Sequence, residues 1–158
     1  MFVVVKTGQL IQRVVVLAEH IWGEHYPAII GEEQVSYMLS EFQSVEAIRE
    51  QIDKGMKYYL VIRDREDVGY FAVQVEGDVL FLSKLYIRAS DSGCGLGSQS
   101  LKFIQDHWGV RSVRLTVNKK NSDSILFYEN RGFIKTAEVV LEIGGGFVMD
   151  DFQMEWSR

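Results

Sequence analysis

The sequence predicts a mixed-sheet α/β sandwich, and three observations carry that expectation. Apolar residues recur at helical spacing through the first third of the chain. Three runs rich in β-branched and aromatic residues follow, separated only by short polar turns. The last part alternates strand, glycine-rich loop, helix, strand, helix and strand. The short connections force the middle runs into an antiparallel meander, because a parallel pairing needs a crossover of a dozen residues or more.

The elements follow in order. Phe2 to Val5 reads as a first strand. Thr7 then stands where an N-cap belongs, ahead of Leu10, Ile11, Val14, Val15, Ala18, Ile21 and Trp22, whose spacings of three and four mark one face of an amphipathic helix. A second helix is expected over about 32–42, with Val35, Met38, Leu39 and Phe42 on one side; a third begins at the cap Ser44 and stops at Gly55. The meander comprises Tyr58 to Arg63, Val68 to Val75 and Val79 to Ile87, with Glu76-Gly77-Asp78 as a tight turn. Beyond it, the loop Gly93 to Gly97 opens a helix through about His107, and a strand Ser112 to Val117 leads to a helix from about Asn121 to Asn130. Strands at Phe133 to Ile143 and Phe147 to Trp156 complete the chain. Apolar parity in the last strand shifts between Phe147/Met149 and Phe152/Met154/Trp156. This predicts either a bulge at Asp150 and Asp151 that aims a carboxylate inward or a surface turn there. Glu138 and Glu142 share one strand face and are expected in solvent.

Composition bounds the function. At 158 residues, 47% hydrophobic and 25% charged, with no repeat or linker, the chain is expected to be one domain over 1–158 with a sizeable core. A net charge of -5 without a Lys/Arg run among aromatics argues against nucleic acid as a partner. The apolar run Met1 to Val5 is too short for a signal segment or a membrane span, and the single cysteine, Cys94, has no intrachain partner. Together they predict a cytoplasmic protein without a membrane partner, and no Cys/His cluster predicts a metal site.

The most informative stretch is Leu82-Ser83-Lys84-Leu85-Tyr86-Ile87-Arg88, followed by Asp91-Ser92-Gly93-Cys94-Gly95-Leu96-Gly97-Ser98. A strand here feeds a glycine loop that opens a helix, and the free N–H groups of a first helical turn attract phosphate. A P-loop needs a lysine followed by Ser or Thr after its last glycine, whereas Ser98-Gln99 follows Gly97. A dinucleotide fingerprint needs a different glycine spacing and an early βαβ unit.

The loop resembles the acetyl-CoA signature of the GNAT superfamily, Arg/Gln-x-x-Gly-x-Gly/Ala after a central strand. Ser92-Gly93-Cys94-Gly95-Leu96-Gly97 carries its glycines and Leu85-Tyr86-Ile87 the strand end, with Ser92 where Arg or Gln is usual. Further on, Asn118 and the run from Asn121 through Phe127-Tyr128-Glu129-Asn130-Arg131-Gly132-Phe133 resemble the family's Asn followed by a helix ending in Phe-Tyr-Glu-x-x-Gly-Phe. The ending from Ile143 to Phe152 resembles a bacterial subgroup.

The resemblance implies a three-layer sandwich with a central mixed, mostly antiparallel twisted sheet of about seven strands, flanked by about four to five helices. It implies transfer of acetyl from acetyl-CoA, as co-substrate, to a primary amine of a small molecule or peptide by direct attack. Cofactor contacts fall on Leu85, Tyr86, Ile87, Ser92, Gly93, Cys94, Gly95, Leu96, Gly97, Ser98, Asn118, Asn121, Ser124, Phe127, Tyr128 and Arg131. A backbone N–H at Tyr86 or Ile87 would face the oxyanion, and Leu85 and Ile87 would pair with pantetheine. Tyr128 is the implied acid for the departing thiol, or else a packing tyrosine. Asn121 is either a CoA contact or an N-cap, and Asn118 either a ligand contact or a strand end. Trp22, His25, Tyr26 and Asp150 are the acceptor-site candidates, each with a structural alternative, and no general base stands out. Competing functions are a CoA-binding module without turnover and transfer of a longer acyl group. Homodimerisation is expected from the family, with Phe147, Met149, Phe152 and Trp156 at an interface or in the core.

Overall fold

In the computed structural model, which describes residues 1–158, both expected caps form. The Thr7 side chain accepts from the Leu10 N–H at 3.3 Å to open α1 (Gly8–His25), and Ser44 accepts from Ala47 at 3.2 Å to open α4 (Val45–Asp53). Between them lie α2 (Pro27–Ile30) and α3 (Glu32–Phe42). With α5 (Leu96–His107) and α6 (Ser122–Glu129) this makes six α-helices instead of four to five. The additional one is the single turn α2. Proline's fixed φ and missing N–H suit the first helical position, and Gly31, at φ +85°, ends that turn ahead of α3. A 3₁₀ turn, Ala89–Asp91, also precedes the glycine loop.

The strands are β1 (Phe2–Val4), β2 (Lys57–Arg63), β3 (Glu66–Glu76), β4 (Val79–Ile87), β5 (Ser112–Asn118), β6 (Ile134–Gly144) and β7 (Phe147–Ser157). They form one sheet in the order β1-β2-β3-β4-β5-β7-β6, antiparallel except for β4 and β5. That parallel pair is joined through α5, as a crossover must be. Strand alternation puts a core on each face. Tyr58, Leu60 and Tyr70 pack with α1, α3 and α4, while Val61, Phe71, Leu80, Leu115 and Met154 pack with Leu101 and Ile104 of α5 and with Ile125 of α6.

This two-sided burial corrects both expectations at Asp150 and Asp151, the bulge and the surface turn, because β7 runs through them as a regular strand. The β5–β7 register runs unbroken from Ser112↔Ser157 to Asn118↔Asp151, and the irregularities lie at Lys135/Ala137 and Glu142/Gly144 of β6. The parity shift arises because Met149 packs on the first core while Phe152, Met154 and Trp156 pack on the second. Asp151, in phase with Met149, is therefore turned inward, whereas Asp150 is exposed and pairs with Lys119 at 2.8 Å. The four residues expected at an interface or in the core all pack within the chain, Phe147 through the Tyr37 ring. The exposed apolar side chains of this region are instead Ile134, Val140 and Leu141 of β6 and Val148. Glu138 and Glu142 are exposed, as expected, and Glu138 also meets Lys119.

One feature of the sheet positions the site. β4 pairs with β5 only over Val79↔Ser112, Leu80↔Val113 and Phe81↔Arg114, and beyond Phe81 the two strands part. An irregularity in the β3–β4 register between Ala72 and Val73 leaves Ser83 without a partner at the start of this divergence. Near its end Gly69 lies opposite Ile87, and a Cβ there would collide with the Tyr86 carbonyl oxygen and the Ile87 side chain. Only glycine lets β3 hold the free end of β4 this closely. Gly69→Ala is therefore expected to destabilise the protein by about 1–3 kcal/mol through overpacking. Thermal denaturation checks this, and an unchanged Tm would mean that β4 shifts without cost.

Candidate active site

Two concavities meet where β4 and β5 part. A groove of about 520 Å³ runs along the glycine loop and is lined by Leu85, Ile87, Ser92, Gly93, Gly95, Leu96, Gly97, Ser98, Ser124, Phe127, Tyr128 and Arg131, together with Asp91 and Asp123. A more enclosed cavity of about 110 Å³ opens on the α1–α3 side of the sheet. Leu85, Ser124 and Tyr128 line both, so Tyr128 stands at the junction.

In the groove, each glycine of the loop has a reason. Gly93 and Gly95 adopt φ of +78° and +82°, the left-handed region that side chains disfavour. Gly97 is helical, but a Cβ there would lie 3.1–3.2 Å from the Phe127 ring, so its lack of a side chain lets α5 and α6 approach. No side chain caps α5, so its first-turn N–H groups have no side-chain partner, an arrangement that favours anions. Arg131 supplies the cation. Its Nε and Nη2 donate to Ser98 Oγ at 3.0 and 2.6 Å, its Nη1 donates to the Phe127 carbonyl at 2.8 Å, and its guanidinium lies 3.7 Å from the Phe127 ring centroid. It is the one basic residue lining the groove. Asp91 is held below the usual carboxylate range by its 2.7 Å bond to Arg88. The Ser92 hydroxyl donates to the Ala89 carbonyl at 2.8 Å. Cys94 is exposed, with its thiol 3.8 Å from the Ser92 carbonyl, and does not line the groove.

The exposed edge of β4 provides backbone groups. The Arg88 N–H donates to the Val68 carbonyl at 2.7 Å, so by the two-residue period Tyr86 and Lys84 also direct their backbone groups to β3. The N–H and C=O of Leu85 and Ile87 then face the gap. Of the two oxyanion candidates, this geometry supports Ile87; Tyr86 contributes its ring to the cavity instead.

The cavity gathers Trp22, Tyr26, Tyr86, Asn118, Asn121 and Tyr128, and two charged residues: Lys84, which the sequence reading gave no role, and Asp151, which it named only beside Asp150 as a carboxylate that a bulge would aim inward. Tyr26 Oη donates to Tyr86 Oη at 3.2 Å, and the Trp22 indole N–H donates to Tyr70 Oη at 3.0 Å, which makes Trp22 a wall rather than a donor. His25 is exposed at the end of α1, and Asp150 is at the surface; neither lines the cavity. Asn121 Oδ1 caps α6 through the Ser124 N–H at 3.4 Å and Asn118 Oδ1 accepts from Lys120 at 2.9 Å; both line the cavity and not the glycine-loop groove. Burial pushes the Tyr128 phenol above its ordinary range, so it stays protonated at neutral pH. Burial also raises the Asp151 carboxyl to about 6, opposed by the Thr116 hydroxyl; its Oδ1 is the one buried side-chain polar atom without a hydrogen-bond partner. Asp151 was recoverable by counting two residues from Met149 once the strand was known to run straight. Lys84 was visible as the one charge between Leu82 and Tyr86.

Comparison with known proteins bears on the whole. The family model described as acetyltransferase (GNAT) domain matches residues 28–155. Among solved structures, PaiA N-acetyltransferase from Thermoplasma acidophilum in complex with coenzyme A aligns with a TM-score of 0.77 at 21% identity, covering 100% of this chain and 99% of that one. The ribosomal-protein-S18-alanine N-acetyltransferase from Escherichia coli aligns with a TM-score of 0.72 at 15% identity, over 99% and 94%. A GNAT family acetyltransferase from Elizabethkingia anophelis with acetyl-CoA bound gives 0.58 at 13% identity, over 70% and 82%. No curated protein matches significantly by sequence, and no helix is long and apolar enough to cross a membrane. At these identities the structures speak for the fold alone, and the family model, which spans most of the sequence, settles membership: the chain belongs to the GNAT acetyltransferase family and is an acyltransferase.

Proposed function

We propose that the protein transfers acetyl from acetyl-CoA to a primary amine by direct attack, with CoA in the glycine-loop groove and the amine in the enclosed cavity. The observation that carries this is the junction of the two spaces at the parted strands, with Tyr128 on the wall of both. Coenzyme A or acetyl-CoA in the Thermoplasma and Elizabethkingia structures supports the choice of co-substrate.

The residues divide the chemistry. An alkyl amine with a pKa near about 10 arrives protonated. Asp151 takes one proton from it, freeing the lone pair that forms the C–N bond at the thioester carbonyl. The Ile87 N–H faces the oxygen that gains negative charge. As the C–S bond breaks, the Tyr128 phenol protonates the sulfur, and the second proton shed by nitrogen restores Tyr128. The products are an acetamide and CoA thiol, with one proton released through Asp151.

Calorimetric titration tests the cofactor half. Wild type is expected to bind acetyl-CoA, Gly95→Glu to lose binding, and Arg131→Met to weaken it about tenfold or more, as loss of a charged hydrogen-bond donor does. Failure of folded wild type to bind overturns the reading. Tyr128→Phe is expected to lower kcat by about 10²-fold or more while leaving acetyl-CoA affinity within about threefold.

Asp151 carries a pH dependence. With its carboxyl at about 6, kcat/KM is expected to rise with pH through that value, and Asp151→Asn to remove the acid limb and lower kcat/KM by about 10²-fold. The stability sign is opposite. A carboxyl whose folded pKa exceeds its unfolded value contributes most when protonated, and that contribution is lost as pH rises through about 6. At pH 7 to 8, Asp151→Asn should therefore melt no lower than wild type while losing activity. A lower Tm would assign Asp151 to structure.

A further inference from the structure

The enclosed cavity has one cation and one anion among its lining residues, and they do not neutralise each other. Asp151 stands on β7, beside β5, and is 4% exposed. The charges that act on it are Asp150 and Lys119. Lys84 stands on β4, across the divergence. Its ammonium donates to Ser83 Oγ at 3.2 Å and Gln51 Oε1 at 3.5 Å and lies 5.5 Å from the Tyr58 ring centroid, all neutral groups. Burial alone lowers its pKa, to about 8, so it is still mostly charged at pH 7.

Sequestered charges with no opposite charge to neutralise them are costly, and a ligand that brings the complementary charges removes both costs together. Resting on the acetyl-transfer reading above, we infer that the acceptor is a small amino carboxylate, its carboxylate against Lys84 and its amino group toward Asp151 and Tyr128. A simple alkylamine leaves Lys84 unpaired, and a diamine or polyamine sets a second cation against it. The volume of about 110 Å³ holds a molecule of a few heavy atoms, and Trp22, Ile30, Met38 and Met149 offer its apolar part a surface. On transfer the ammonium nitrogen exchanges two of its three protons for the acetyl group, one going to Asp151 and one to Tyr128 as written above, and the carboxylate is unchanged.

The test follows thiol release with acetyl-CoA and matched small acceptors: alanine, 2-aminobutyrate and β-alanine, each beside its carboxamide and its decarboxylated amine. The carboxamides also imitate a peptide N-terminus. The carboxylates are expected to lead in kcat/KM by about tenfold or more. Lys84→Gln should abolish that lead by lowering the carboxylate values about tenfold more than the amide values, and Lys84→Arg should retain part of it. Amides or decarboxylated amines accepted equally or better, or an equal loss for all acceptors in Lys84→Gln, overturns the inference. The same compounds titrated into CoA-loaded protein give a readout without turnover, and absence of carboxylate-dependent binding also overturns it. Acetyl-CoA binding together with turnover of uncharged amines defeats only the acceptor class, whereas failure to bind acetyl-CoA defeats the acetyl-transfer reading beneath it.

Discussion

The parting of β4 from β5 is the constraint on which the rest depends. Inside a sheet, backbone N–H and C=O groups normally find partners on both sides, and groups left without them carry a penalty. Here the central parallel pair ends after Phe81, and the backbone groups of Leu85 and Ile87 face a gap in the middle of the molecule. β3 makes this tolerable by holding the other edge of β4 up to Arg88, with Gly69 permitting the close approach. The gap also divides the two faces. The glycine loop and α6 lie against one, and the ends of α1, α2 and α3 cover the other, so two ligands can meet edge to edge through the sheet.

The groove shows how two distant motifs become one surface. Gly97 is small so that the Phe127 ring can lie on α5, and that ring in turn carries the Arg131 guanidinium, which reaches Ser98 on the same helix. Loop and helix are thus locked by a stack of glycine, aromatic ring and guanidinium. The family pattern usually carries a side-chain donor at position 92, where this chain has a serine whose hydroxyl is used within its own turn. Positive charge at the groove stands instead on the opposite wall, at Arg131.

Much of this was legible in the sequence, for identifiable reasons. Thr7, Ser44, Gly55 and Glu76-Gly77-Asp78 are local signals, set by capping and turn stereochemistry within a few residues, and the elements they bound form as expected. The glycine loop was legible because its glycines answer backbone demands that few other residues meet. What the sequence obscured depends on packing from elsewhere. The single turn α2 between Pro27 and Gly31 is not anticipated, because only the packing of its neighbours shows that one helical turn fits between two helices. The shift of apolar parity in β7 reads as a bulge, because a bulge and a change of covered face produce the same pattern in one dimension. Asn118 reads as a ligand contact or a strand end and Asn121 as a CoA contact or an N-cap, and only the packing shows that both line the cavity rather than the glycine-loop groove.

The same ambiguity explains why the sequence did not single out the base proposed above. Asp150 and Asp151 are chemically identical neighbours, and only the phase of β7 separates a surface carboxylate paired with Lys119 from one buried beside Tyr26 and Tyr128. That phase is dictated by the unbroken β5–β7 ladder, whose last rung, Asn118↔Asp151, lies at the mouth of the divergence. Burial there has two effects with one cause. It lifts the carboxyl toward neutral pH, where a base is useful, and it leaves Oδ1 without a protein partner, where a substrate proton can be accepted. A folding optimum would satisfy or remove that carboxylate. Its position in the cavity whose wall Tyr128 shares with the groove is what makes the sacrifice of stability intelligible.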